Sequence, residues 1–233
     1  VSAQPSALPE GHHPSGEESG PNQWTPLGRG GSRLRLWGRS LVMGLALLLL
    51  IAAGAYLLWA YRLLPGEGTV TQIDAGALQI ARTAGIWEPL EVGDTVLPGH
   101  RLRSRSGTVA LVHFFDGSQM RVESAGEWEI EQLEGNPGSR LSRVTIRQRT
   151  GRASLVSAPL QRGTNAHLRL ELPGGTVQLV GSATFATDEQ GTTICTLLQG
   201  QGQVRAGNNR ITLSPGEGLR LQADGEMSAP LGE

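Results

Sequence analysis

Glu127, Glu129 and Glu131 are the densest set of chemistry-bearing side chains in this 233-residue chain. On a strand, period-two spacing puts all three carboxylates on one face, where oxygen ligands could gather calcium. Five arginines between Arg140 and Arg152 compete for the same carboxylates. Cross-strand pairing of glutamate with arginine is the better reading, and it also accounts for arginines that would otherwise suggest nucleic acid or anionic lipid. His100, His113 and His167 fall in separate predicted strands or turns, without the His-x-His spacing common in metal-binding barrels. His12-His13 lacks further ligands nearby, and Cys195 lies in the strand-like run 192–198, as a small apolar filler. The chain contains no Gly-x-Ser-x-Gly elbow, His-Glu-x-x-His pair or phosphate loop. The expectation is no enzyme, with no catalytic residue, metal or cofactor.

The elements that must carry these residues read as short strands. Alternating runs at 76–82, 108–115, 119–123, 127–133, 143–149, 166–172, 176–180, 192–198, 203–205 and 210–213 are punctuated by Gly, Pro, Asn and Asp. Such spacing argues an all-β domain, and no stretch after Pro65 is periodic enough for a helix. In one hairpin, Trp128 and Ile130 face Val144 and Ile146 on the core side. The three glutamates oppose Arg143, Arg147 and Arg149 on the wet side, and Gly135-Asn136-Pro137-Gly138 makes the turn. A second hairpin signal is Asp116-Gly117-Ser118, a tight two-residue turn in which Asp116 is a turn residue. Weak echoes link Leu97-Pro98-Gly99-His100-Arg101-Leu102-Arg103 to Leu213-Ser214-Pro215-Gly216-Glu217-Gly218-Leu219-Arg220, suggesting two similar halves or solenoid rungs.

From Leu41 to Tyr61 the chain runs twenty-one residues without a charge. At 1.5 Å per residue this reaches roughly 30 Å, the thickness of a bilayer's hydrocarbon layer. Trp37 and Trp59 stand near its ends, where amphipathic rings favour the headgroup layer. Arg29, Arg33, Arg35 and Arg39 precede it and only Arg62 follows closely, so the basic bias puts the N-terminus in the cytoplasm. A cleaved signal peptide has a shorter apolar stretch and a small-x-small cut site; forty residues and bulky Leu57, Leu58 and Trp59 argue against one.

Residues 1–32 carry five prolines and six glycines and cannot offset their ordering entropy, so they are expected to be disordered. Residues 63–233 hold fifteen arginines and eighteen acids, a net −3 that offers nucleic acid no broad basic surface. A lone cysteine forms no internal disulfide. The chain opens on Val1 rather than methionine, which leaves coding sequence upstream as an alternative.

Over residues 68–221 these pieces fall in an order that resembles the FecR domain of bacterial membrane-anchored transducers and related envelope proteins. The residues carrying it are Gly93-Asp94, Pro98-Gly99, Asp116-Gly117-Ser118, Gly181 with Phe185, and Gly216-Glu217, read as motif turns. The resemblance implies an extracytoplasmic β-module that senses by binding an envelope partner, with a sigma factor as the cytoplasmic regulator. The Asp94 to Leu102 turn and the Asp116 to Ser118 tip are its candidate contact points.

The expected fold class is therefore an all-β extracytoplasmic domain, a FecR-type β-sandwich or solenoid of short strands, behind one transmembrane helix and a disordered tail. The boundaries are 1–36 (cytoplasmic tail), 37–62 (helix), 63–67 (linker), 68–222 (β-domain) and 223–233 (flexible end). In the cytoplasmic membrane such a protein is a signal transducer or, alternatively, a non-signalling scaffold or adhesion module that holds glycan or another surface protein.

Overall fold

Leucine and alanine on every side leave residues 41–59 no polar face, and the structure gives them no protein to bury it in. The computed structural model describes residues 32–60, 62–83, 85–136, 141–158 and 165–231. Helix α1 (Ser32–Ala60) starts before the expected boundary at residue 37. Its segment Leu41–Trp59 is long and apolar enough to cross a membrane, and none of it is buried. The tail expected to be disordered lies outside the described residues up to residue 31. The chain divides into two units, Val1–Ile51 and Ala52–Glu233.

Strands follow in the second unit: β1 (Leu64–Pro65), β2 (Gly68–Ala75), β3 (Leu78–Thr83), β4 (Ile86–Leu90), β5 (Thr95–Val96), β6 (Arg101–Ser104), β7 (Val109–Phe114) and β8 (Gln119–Val122). After them come β9 (Gly126–Asn136), β10 (Leu141–Val156), β11 (Asn165–Leu172), β12 (Gly175–Thr187), β13 (Thr193–Ala206), β14 (Asn209–Leu213), β15 (Gly218–Leu221) and β16 (Met227–Leu231). Among the described residues no helix follows α1.

The strands run in two sheet courses. One goes β16-β15-β13-β12-β10-β8-β7-β2-β5; the other goes β14-β13-β12-β11-β10-β9-β6-β3-β4. Strands β10, β12 and β13 belong to both, so each must bend. Gly181 and Gly200 face each other at one bend, with φ 123° and 87°. A Cβ on either would lie 2.0 Å from a backbone oxygen of the opposite strand, so only glycine fits. At the other bend Gln148 Nε2 donates to Gly151 O at 2.7 Å.

Most strands are short, as expected, but several run on past the expected segments. Runs 192–198 and 203–205 are one strand, and 143–149 continues to Val156, because glycines that look like punctuation bend the chain without ending it. Gly181 and Phe185 are likewise strand residues of β12, not turns, and Phe185 is fully buried. Gly135 and Asn136 close β9 instead of opening the turn, since they pair with Ser142 and Leu141. Two expected loose ends carry strands: β1, inside the 63–67 linker, pairs with β9, and β16, inside 223–233, pairs with β15. Both find an unfilled sheet edge whose backbone groups they satisfy.

One hydrophobic cluster joins both courses, from Val70 and Ile80 through Trp128 and Ile146 to Phe185, Leu197 and Leu219. Trp128, Ile130, Val144 and Ile146 lie fully buried on the core face, as the alternation requires. The one parallel strand pair among the described residues is β10–β11, so the arrangement is built from antiparallel pairs and is not a stack of parallel rungs.

Candidate functional site

Three of the motif turns prove to be one device built three times. In Leu97-Pro98-Gly99-His100, Gly99 takes φ 87° and its N–H donates to Ile130 O at 2.7 Å. Ile130 N–H donates back to His100 O at 2.9 Å, and His100 N–H closes the turn on Leu97 O at 3.1 Å. Finally, Leu97 N–H donates to His100 Nδ1 at 3.1 Å. Ser214-Pro215-Gly216-Glu217 repeats every bond around Leu197: Gly216 N–H to Leu197 O at 2.8 Å, Leu197 N–H to Glu217 O at 3.0 Å, and Ser214 N–H to Glu217 Oε2 at 2.6 Å. Glu91-Val92-Gly93-Asp94 does the same around Val70, with Gly93 N–H to Val70 O at 2.8 Å and Glu91 N–H to Asp94 Oδ2 at 2.9 Å.

Each turn thus takes both backbone groups of one fully buried residue, Val70, Ile130 or Leu197. The following residue, Thr71, Glu131 or Leu198, is skipped in the neighbouring strand's register. That is a β-bulge beside every staple. Two residues past each turn a core side chain goes in: Val96, Leu102 or Leu219, all fully buried. The echo between residues 97–102 and 214–219 is therefore physical. Its third copy, at Glu91, escaped the sequence because Val92 stands where the others have proline.

The Asp116 tip is also structural. The loop holds three residues rather than two: Gly117 N–H donates to Phe114 O, and Phe114 N–H to Ser118 O, both at 2.9 Å. Gly117 sits at φ 90°, the left-handed residue of a three-residue hairpin. Asp116 Oδ1 accepts from Ser118 N–H at 2.9 Å and also from Ser118 Oγ. Beside it the Phe115 ring lies over Gly66 and Gly135, where any Cβ would strike it.

The glutamates and arginines cover the wet face of the second sheet course. Glu127 pairs with Arg101; Arg149 reaches Glu129 at 3.3 Å; Arg143 reaches Glu134 at 3.5 Å. Arg147 holds Glu131 and, from the parallel neighbour β11, Glu171 at 2.9 Å. Burial, then the Glu171 charge, pushes the Glu131 carboxyl above its ordinary value, while the hydrogen bond to Glu171 raises Arg147. At the other rim Arg103 stacks 4.3 Å from the Trp87 ring, a cation–π contact.

Of the anchor-flanking residues, Arg33, Arg35, Trp37 and Arg39 belong to α1 before Leu41, and Arg29 lies outside the described residues. Trp59 is exposed, its ring 6.4 Å from that of Tyr56. Cys195 is buried against Phe185 in the core, and burial pushes its thiol up to about 12. Among the described residues no three His, Cys, Asp or Glu side chains gather as a metal site. A depression of about 740 Å³ is open and bordered by Ser124, Thr150, Arg152, Asp188 and Arg220.

No family model matches the chain, and no curated protein matches it. Two solved structures are similar to part of it: crystal structures, at 2.50 and 1.65 Å, of a candidate anti-sigma factor from Parabacteroides distasonis ATCC 8503. They are 14% and 15% identical, with TM-scores of 0.44 and 0.43, over 55% of this chain and 57% of theirs. The chain spans just over half the length of the solved structures it matches.

Proposed function

We propose that this is a single-pass membrane protein whose β-domain lies outside the cytoplasm, binds a protein partner there, and has its binding reported inside by residues 1–40. A sigma factor is the cytoplasmic regulator that the FecR-like motif order suggests. The observation that carries the reading is the helix: Leu41–Trp59 can span a bilayer and none of it is buried. Four arginines before it favour the cytoplasm for the N-terminus. The groups that could have done chemistry have structural work: Asp94, His100 and Glu217 cap turns, and the glutamates on β9 neutralise arginines. This supports recognition, not catalysis.

Protease added to intact cells should digest the β-domain and spare the N-terminal segment; protection of the β-domain would sink the topology. Crosslinking in the native cell should then recover a cytoplasmic regulator. The alternative, a scaffold that only displays the β-domain, is favoured by the Pro- and Gly-rich composition of residues 1–32. Deleting those residues separates the two, since a scaffold keeps its function and a transducer loses it.

A further inference from the structure

Register lines up one residue from each successive strand across the wet face: Arg101, Glu129, Arg147, Glu171, Thr176, Arg205 and Arg210. Charge alternates along the row as far as Glu171. Beyond it, Thr176 is neutral and two arginines stand directly opposite each other on β13 and β14. Like charges placed so repel. Neither has an ion-pair partner among the described residues. They border, with Arg169, Thr176, Gln178 and Gln203, a depression of about 280 Å³ that no carboxylate lines. Arg169 Nη2 pairs with Glu171 at 3.3 Å, whereas its buried Nε has no hydrogen-bond partner.

Among the described residues β14 is also the end of its sheet course, paired only with β13. Gly207 and Asn208 form a two-residue loop, so Ala206 and Asn209 are the hydrogen-bonded pair that closes the hairpin. Arg205 and Arg210 are then a non-hydrogen-bonded pair, with side chains at their closest and the Arg210 and Thr212 amide groups directed away from β13. A free backbone edge thus coincides with the uncompensated end of a charge row.

We propose that β14 receives an extended acidic segment of a partner protein by strand addition, with a carboxylate beside Arg210 as the next member of the row. Backbone bonds to Arg210 and Thr212 give the segment its register, and the arginines select its charge. The proposal rests on the reading that the β-domain binds a protein, and is independent of the membrane topology.

The test titrates a fluorescent eight-residue peptide of alternating Glu and Val onto the full chain in detergent micelles. Binding should rise with falling salt, and hydrogen exchange should slow at Arg210 and Thr212. The exposed double variant R205E/R210E should lose affinity by about tenfold or more and bind the Lys-for-Glu peptide instead. R210Q, a milder change, should lose part of it. Failure of the acidic peptide to bind, equal binding by R205E/R210E, or equal competition by inorganic phosphate would each overturn strand addition. Crosslinking in cells separates the two readings. A partner still recovered by R205E/R210E leaves partner binding standing and removes β14 as its site; no partner recovered by the native chain removes partner binding, while the peptide titration still judges β14.

Discussion

The turns at Leu97–His100 and Ser214–Glu217 share every backbone hydrogen bond yet cap their first N–H with different chemistry, an imidazole nitrogen in one and a carboxylate oxygen in the other. The position therefore demands an acceptor of the right reach, not a particular charge. At Gly93-Asp94 and Gly216-Glu217, Gly followed by an acid is the hardware that fastens an edge turn to a bulged core strand. Function has to be sought on the surfaces the turns leave free.

The comparison breaks first at the stapled residues. Ile130→Ala and Leu197→Ala should each cost about 2–5 kcal/mol by denaturant unfolding, since both side chains are fully buried. Coincident transitions by different probes in both variants would mean that the strands form one cooperative unit, as their shared core requires. Gly99→Ala and Gly216→Ala meet open space, so only the left-handed backbone is penalised. About 1–2 kcal/mol is expected at each. A clear inequality would show that one staple is dispensable.

Removing the caps is gentler. His100→Ala and Glu217→Ala should each cost about 0.5–1.5 kcal/mol, because water can reach the freed N–H of exposed Leu97 or Ser214. His100→Glu should restore the native value. The smallest effect is on pH. Burial first, and then the Arg82 charge, hold His100 below its ordinary value, so the unfolded chain takes up the proton more readily. Its contribution is whole above about pH 6.5 and fades as the pH falls below that. His100→Glu should remove this slope, and a slope that survives would assign it to another group.

Much of the fold was legible because period-two alternation is a direct imprint of one-sided burial. Trp128, Ile130, Val144 and Ile146 declared the core face, and the glutamates and arginines the wet one. Bends were not legible, since Gly181 and Gly200 are the same letter whether a strand stops or folds over. Nor were the bulges: Thr71, Glu131 and Leu198 share no chemistry, only the position after a stapled residue. The Arg147–Glu171 pair depends on a parallel neighbour that local pattern does not foretell. The row's bare end at Arg205 and Arg210 needed the full register of six strand pairings.

Cys195 has a practical consequence. As the chain's sole thiol, shut inside the core with its ionisation deferred to about 12, it is inert to maleimides that stay in water. Any cysteine engineered onto an outer loop would therefore be a unique chemical handle, with no background to subtract. Membrane-impermeant reagents can then report, residue by residue, which side of the lipid each part of the chain inhabits.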